Sequence, residues 1–92
     1  MKIYAVIRDP KNMRQFQGNS HAEILEYLDE MGDTSRHYRD VFDRIKKVYG
    51  AEGSSPSSKH VGFASEDGVF LTRAESLKKW GVYQSTDLRN RE

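Results

Sequence analysis

Apolar side chains near the start of the chain follow the pattern of a buried β-strand. Residues 2–8, KIYAVIR, carry β-branched and aromatic side chains at both odd and even positions, which predicts a strand buried on both faces. Residues 9–12 contain a Pro and an Asn, as turns do, and residues 13–17 can return as a short second strand. The pattern therefore predicts an N-terminal hairpin.

Apolar residues in the middle of the chain recur with a helical period and predict two helices. The first begins after Ser20, which has the Ser-x-x-Glu spacing of a capping box with Glu23, and Gly32 is expected to end it in a left-handed conformation. The second begins among residues 33–35, and Gly50 is expected to end it.

A second hairpin and a third helix are predicted in the last third of the chain. Short apolar runs at 60–64 and 69–71 flank a turn that contains Asp67 and Gly68, a pair favoured in hairpin turns. Thr72 then repeats the capping-box spacing, and a short helix should run to Gly81.

These elements predict one α+β domain over residues 1–92. Its small antiparallel sheet would combine the N-terminal strand or hairpin with the 60–71 hairpin, and the two central helices would pack on it with the third, short helix beside them. If the apolar faces of the central helices did not contact the sheet, they would instead indicate a homodimer interface. We expect a flexible Gly/Ser loop at residues 50–58 and a frayed tail at residues 84–92.

Composition excludes several classes of protein. The chain has 92 residues, 36% of them hydrophobic and 32% charged, with no cysteine and a net charge of +1. No cysteine means no disulfide scaffold, no thiolate nucleophile and no cysteine-bound metal. No apolar run approaches the ~18 residues of a membrane span, and no signal peptide is evident, so we expect a cytoplasmic protein with no membrane contact.

The sequence contains no recognisable catalytic constellation. A nucleophile elbow and a phosphate-binding Walker pattern are both absent, and the three histidines have no metal-ligand spacing. We therefore expect no enzyme activity, no metal and no cofactor.

Charge is unevenly distributed over the two central helices. The first helix is acidic, and the second carries a modest surplus of cations. The candidate binding residues are Glu23, Glu26 and Asp29 of the first helix and Arg36 and Arg39 of the second. These residues either pair with one another as solvated helix faces or form a surface for a protein partner.

The first hairpin supports an alternative function, that of a small nucleic-acid-binding regulator. Its cations are interleaved with Tyr4 and Phe16, which could stack on bases; they are Lys2, Arg8, Lys11 and Arg14.

Two blocks of the sequence resemble a family of small proteins encoded by tailed bacteriophages and prophages. The family pattern reads roughly Gly-Phe-x4-Gly-x-Phe-x2-Arg-x-Glu-Ala, and the matching residues are Gly62, Phe63, Gly68, Phe70, Arg73 and Glu75, with Ser76 in place of the usual Ala. The start of the chain, IYAVIR followed by FQGNSHAEIL, also resembles this family, with Gly18 and His21 in a Gly-x-x-His stretch. The resemblance implies phage origin and an accessory or anti-defence role without an enzymatic mechanism.

The resulting expectation is a non-catalytic binding protein of phage origin. It would inhibit a host defence protein or act as a sponge for an anionic, nucleotide-like ligand. His21 and Arg73 each follow a helix cap, where free N–H groups favour anions, and with His60 they could converge on such a ligand. Alternatively, Arg73 pairs with Asp67 or Glu66 and His21 is solvated.

Overall fold

The fold is built on a four-stranded antiparallel sheet. The structure, a computed structural model, describes residues 2–91, with side chains as far as Leu88. The strands are β1 (Ile3–Arg8), β2 (Gln15–Gly18), β3 (Val61–Ser65) and β4 (Phe70–Thr72), in the order β2-β1-β3-β4. Both predicted hairpins are present, and the α+β class is confirmed.

Three α-helices and one 3₁₀ helix complete the described chain. They are α1 (His21–Gly32), α2 (Arg36–Glu52), α3 (Arg73–Trp80) and a C-terminal 3₁₀ helix (Ser85–Arg91). Ser20, Ser35 and Thr72 cap the three α-helices with their side-chain oxygens, and α3 has the complete capping box that the sequence predicts.

Two of the three predicted helix ends differ from the prediction, one in conformation and one in position. α1 does end at Gly32, but Gly32 is not left-handed and the cap residue Asp33 is right-handed. α2 continues past Gly50 to Glu52, with a right-handed cap at Gly53. A glycine tolerates a helical conformation at modest cost, so continued packing of the helix overrides its weak stop signal. Only α3 ends as expected, at Gly81 with φ of 72°.

The hydrophobic core lies between the helices and one face of the sheet. Ile3, Ala5 and Ile7 of β1 and Val61 and Phe63 of β3 point toward it, and the central helices cover these strand residues with their own apolar stripes. The helical contributions are Ile24, Leu28, Val41, Ile45 and Val48. The predicted packing of the central helices on the sheet is therefore confirmed.

The loop and the tail are more structured than the sequence predicts. Residues 50–52 are the last turn of α2, and the buried Ser58 hydroxyl accepts hydrogen bonds from the His60 and Val61 amides. In the tail, residues 85–91 form the 3₁₀ helix and Leu88 packs against the core, while fraying of this segment stays a prediction; residue 92 lies outside the described residues. No helix in the described chain is long and apolar enough to cross a bilayer.

Candidate functional site

The main candidate site is a cavity of about 620 Å³ at one end of the molecule. We call it the His21–Arg73 cavity, because the starts of α1 and α3, the end of α2 and the segment after α3 all contribute to its wall. Its lining residues are His21, Tyr49, Gly50, Gly53, Ser54, Arg73, Tyr83, Gln84, Ser85 and Thr86. The size suits a small organic ligand, and none of the described lining residues is a carboxylate.

His21 is a buried, fully hydrogen-bonded part of this wall. Only 1% of its surface is exposed, Nε2 lies 2.9 Å from the Gly62 carbonyl, and Nδ1 lies 2.9 Å from the Ser85 hydroxyl. A neutral ring that donates from Nε2 and accepts at Nδ1 satisfies both contacts. Burial lowers the pKa of His21 to about 4, so the ring is neutral at pH 7. Neither the predicted anion-donor role nor the solvated alternative fits this arrangement.

The helix starts do not offer the free backbone donors on which the sequence argument relied. The His21 amide donates to the Ser85 hydroxyl, and the Ala74 amide donates to the Pro56 carbonyl. The cap side chains of Ser20 and Thr72 accept hydrogen bonds from the Glu23 and Glu75 amides. These termini are thus largely satisfied within the protein, and any anion must be held by side chains.

Arg73 supplies the positive charge of the cavity. It is only 5% exposed, and its Nε donates to the Gly53 carbonyl at 2.7 Å while Nη1 donates to the Tyr83 carbonyl. The guanidinium carbon lies 5.5 Å from the Phe63 ring centroid and 5.7 Å from that of Tyr83. Within residues 2–91 no carboxylate pairs with it, so the expected pairing with Asp67 or Glu66 is wrong.

The burial of Arg73 is electrostatically expensive without a counter-ion. Desolvation lowers the pKa of Arg73 while the phenols of Tyr49 and Tyr83 oppose that shift, and an arginine stays protonated in proteins nevertheless. Carbonyl oxygens and ring faces compensate part of the charge. The remaining charge faces a cavity whose described lining residues include no carboxylate, which makes this cavity suited to an anion.

The glycine and aromatic residues of the phage-like motif build the strand layer next to this site. A Cβ on Gly62 would lie 2.7 Å from Cζ of Phe70 and 2.2 Å from the Leu71 oxygen, so only glycine lets that ring lie against the strand. On the opposite face of β3, Phe63 contacts the His21 ring with centroids 5.2 Å apart and lies beneath Arg73. The motif thus has a structural explanation that turn and cap geometry did not provide.

His60 does not belong to the cavity. Its Nδ1 lies 3.2 Å from the Glu52 carboxylate, and it follows the loop that leads into β3. The prediction that His60 converges with His21 and Arg73 is therefore wrong for His60. The other two do line one cavity, a question that the sequence left open.

The charged helix faces partly neutralise each other. Arg39 bridges Asp29 at 3.1 Å and Asp33 at 3.2 Å, which agrees with pairing between the central helices. Glu23, Glu26 and Arg36 are exposed and lie on the outer surfaces of α1 and α2. The structure therefore supports the solvated interpretation of this surface more than a dedicated protein interface.

The cations of the first hairpin lie along the sheet, away from the cavity. Arg8 stacks on Phe70, 4.1 Å from its ring centroid, while Arg14 lies 5.1 Å from the ring centroid of Phe16. Lys2 lies 5.3 Å from that of Tyr4. Lys11 is exposed in the hairpin turn.

The tyrosines of the site are not identified by periodicity or motif spacing. Tyr49 was interpreted only as part of an apolar helical stripe, and Tyr83 precedes the segment expected to fray. The Tyr49 ring lies 5.7 Å from the His21 ring, and the Tyr83 hydroxyl donates to the Ser54 carbonyl. The sequence signal for Tyr83 is its position two residues after the left-handed Gly81, which turns the chain back toward Arg73.

Neither metal-ligating side chains nor similar proteins identify a function for the site. The described residues contain no group of three or more metal-ligating His, Asp or Glu side chains. Comparison of the chain with protein-family models, curated proteins and solved structures gives no match. The site is therefore interpreted from its own geometry.

Proposed function

We propose that this protein is a non-catalytic binding protein that captures a small anionic ligand in the His21–Arg73 cavity. The observation that carries the proposal is Arg73, a residue only 5% exposed whose guanidinium has no carboxylate partner among residues 2–91, in the wall of a cavity of about 620 Å³. An anionic group of the ligand would provide the counter-ion that Arg73 does not find among the described residues.

The remaining donors of the site suit such a group. Arg73 uses Nε and Nη1 for carbonyls, and Nη2 makes no hydrogen bond to the described residues. The Tyr49 hydroxyl likewise has no hydrogen-bond partner in the described part of the chain, and its phenol lies close enough to influence the pKa of Arg73. A phosphate or carboxylate can accept from both groups.

The same geometry favours binding over catalysis. Both ring nitrogens of His21 are engaged, the cavity wall carries no carboxylate, and there is no cysteine in the chain. General acid–base catalysis and nucleophilic catalysis each need a group that is free to exchange a proton or attack.

The biological setting that we propose follows from the resemblance to small phage proteins. A phage protein that holds an anionic, nucleotide-like ligand without converting it would act as a sponge for a host defence signal. Inhibition of a host protein through the α1 and α2 faces has less support, because Asp29 and Arg39 already bind each other.

Calorimetric titration with nucleoside mono- and diphosphates and with pyrophosphate tests the proposal. We expect stoichiometric binding that Tyr49→Phe weakens by about tenfold, since one hydrogen bond to a charged group is lost while the ring remains. Tyr27→Phe, at an exposed tyrosine of α1, is the matched control and should bind normally.

Arg73→Gln separates the proposal from its alternatives. It should abolish binding of these anions, and circular dichroism must show that the variant remains folded, because two carbonyl contacts are also lost. Unchanged binding by the folded variant would contradict the anion site. Turnover of any ligand by substoichiometric protein would contradict the non-catalytic function.

A further inference from the structure

The outer edge of β2 presents backbone groups that face away from the sheet. β2 pairs with β1 in a register that places Gln15 opposite Arg8. In the next pair toward the turn, the Asp9 amide donates to the Arg14 carbonyl at 2.8 Å. Hydrogen-bonded and non-hydrogen-bonded pairs alternate along an antiparallel ladder. The backbone N–H and C=O groups of Gln15, and two positions later those of Gln17, therefore point away from β1.

No hydrogen bond from residues 2–91 reaches these outward-facing groups. The β3–β4 turn crosses the face opposite the helices, and its Gly68 carbonyl accepts from the side-chain Nε2 of Gln15 at 2.9 Å, not from the backbone. β2 contains no charged residue and no proline, and its ladder has no bulge, so it lacks features that commonly protect a sheet edge. This edge can therefore accept a further strand.

The opposite edge of the sheet is less available. β4 has three residues and leads directly into α3. The Thr72 amide at its end already donates to the Glu75 carboxylate at 2.9 Å, as part of the capping box of α3. An added strand would have to displace this cap, so β2 is the better edge for extending the sheet.

An exposed flank of α1 adjoins the β2 edge. Glu23 and Tyr27 lie one turn apart and share a side of the helix. A Cβ built on Gly18 would lie 3.9 Å from Cβ of Glu23, so this side faces β2. Asp29, on the opposite side, binds Arg39 of α2 at 3.1 Å. Tyr27 is 52% exposed, although it is a large aromatic residue beside a sheet edge.

Opposite charges lie at the two ends of this edge. Arg14 precedes β2, and its guanidinium carbon lies 5.1 Å from the ring centroid of Phe16, on the face that the helices cover. Glu23 lies beside Gly18, the last residue of β2. Both Arg14 and Glu23 are exposed, and neither forms an ion pair within residues 2–91. A strand that ran antiparallel to β2 with the same charges would place a cation beside each carboxylate.

We propose that β2 pairs with β2 of a second copy of this chain, antiparallel about a two-fold axis at Phe16. In this register Gln15 of each copy exchanges backbone hydrogen bonds with Gln17 of the other, and the two Phe16 residues lie opposite each other. The two sheets then become one continuous sheet. The exposed Tyr27 flanks approach each other over the axis, which removes apolar surface from water.

The charges of this edge are complementary to themselves in the proposed register. Arg14 of one copy lies opposite Gly18 of the other copy, and Glu23 adjoins that glycine. Each Arg14 therefore gains a carboxylate from the other copy, and opposite charges across neighbouring strands stabilise their pairing. This inference is independent of the His21–Arg73 cavity, since the two surfaces share no residue.

Sedimentation equilibrium of the full chain from ~5 to ~500 µM tests the proposal. We expect a reversible monomer–dimer equilibrium with a Kd in the micromolar range, since a contact of this kind lies at the small end of specific interfaces. A monomer at every concentration would overturn the proposal, including the case in which this edge binds an extended segment of another protein.

Gln17→Pro tests the contact through the backbone. The substitution removes an N–H group that β1 does not use, so it should abolish dimer formation while the monomer stays folded. Gln17→Thr keeps the N–H group and is the matched control, which should form dimers like the wild type. Circular dichroism and thermal unfolding check that both variants are folded. Dimer formation by folded Gln17→Pro would overturn the assignment to β2.

Exchange of charges tests the register without any change at the backbone of β2. Arg14→Glu should weaken the dimer about tenfold, because attraction becomes repulsion at both symmetric contacts. Arg14→Glu/Glu23→Arg should restore it, since the two charges have exchanged places. The control Arg36→Glu changes the net charge equally at an exposed position of α2 and should have no effect. A folded double variant that dimerises no better than Arg14→Glu, or equal weakening by Arg36→Glu, would contradict the proposed contact.

Discussion

His21 is an ionisable residue that the fold keeps neutral. Its pKa is lowered by burial from 6.5 to about 4, so the unfolded chain takes up a proton in a pH range in which the folded protein does not. The stability contribution of the neutral ring is fully present above pH 6.5 and is lost as the pH falls toward about 4. Acidification therefore favours the unfolded chain.

We predict that the free energy of unfolding falls by about 2 kcal/mol between pH 7 and pH 5. Below the unfolded pKa of His21, protonation of the unfolded chain lowers this free energy by about 1.4 kcal/mol for each pH unit. Urea titrations at several pH values measure this loss. The lowered pKa values of Asp9, Glu52 and Asp67 act mainly below this range. His21→Gln should remove most of the dependence, and a variant with the wild-type slope would contradict the assignment to His21.

Ser76 carries a buried hydroxyl without a partner. The residue has no exposed surface, and its Oγ makes no hydrogen bond to the described chain. It also occupies the position at which the resembled phage family usually has Ala. An unsatisfied buried hydroxyl costs stability, and a methyl group fills nearly the same space.

We predict that Ser76→Ala stabilises the protein by about 1 kcal/mol, since it removes the desolvation penalty without leaving a cavity. Thermal unfolding measures the change. Ser65→Ala is the matched control, because the Ser65 hydroxyl donates to Asp67 at 2.9 Å and its loss should destabilise the β3–β4 turn. A lower melting temperature for Ser76→Ala would show that the hydroxyl has a partner.

At the level of whole elements, two glycines that look alike in sequence have opposite roles. Gly50 lies inside α2, and a Cβ built there meets nothing within 4 Å. Gly81 ends α3 with φ of 72°, in a region that favours glycine.

We predict that Gly50→Ala raises the free energy of unfolding by about 0.5–1 kcal/mol, since alanine is the better helix former. Gly81→Ala should lower it by about 1 kcal/mol because of backbone strain. Chemical unfolding of both variants under one set of conditions checks the pair. Stabilisation by both substitutions would show that Gly81 can leave its left-handed conformation at no cost.

The same comparison shows what local patterns can predict. Periodicity and caps were sufficient for both hairpins, for the three α-helices and for the left-handed Gly81. They failed where long-range contacts decide. α2 passes Gly50 because its last turn packs Tyr49 near His21, and the 3₁₀ helix at residues 85–91 begins where Ser85 contacts a histidine 64 positions earlier. Arg73 was chosen correctly as a site residue, but its burial depends on Phe63 and Tyr83, which sequence spacing does not connect.

The whole molecule is a two-layer structure in which one position of β3 supports both sides of the sheet. On the helix side, the Gly62 carbonyl lies 2.9 Å from Nε2 of His21 in the wall of the His21–Arg73 cavity. On the other side, the absence of a Gly62 side chain leaves room for the Phe70 ring, and the β3–β4 turn reaches across the sheet, where the Gly68 carbonyl accepts from Nε2 of Gln15 at 2.9 Å. Gly62 therefore supports both the cavity wall and the packing of the opposite face.

An ion pair connects the sheet and the helices directly after β1. Asp9, directly after β1, is 1% exposed. Arg44 of α2 donates from Nε to Oδ1 of Asp9 at 2.9 Å and from Nη2 to Oδ2 at 2.8 Å. The hydrogen bonds from Arg44 hold the pKa of the Asp9 carboxyl below its usual value. Loss of the arginine would leave a buried carboxylate without its main partner, which is strongly unfavourable.

We predict that Arg44→Met raises the pKa of Asp9 and lowers the stability of the whole domain at neutral pH. The carboxylate contribution is present above the unfolded pKa of 3.8 and is lost in wild type as the pH falls through the lower folded pKa. NMR titration of the Asp9 carboxyl carbon measures the shift, and chemical unfolding at pH 7 measures the stability. Asp9→Asn/Arg44→Met should recover part of the loss, since no buried charge remains unpaired. A double variant no more stable than Arg44→Met would assign the loss to helix packing instead of the ion pair.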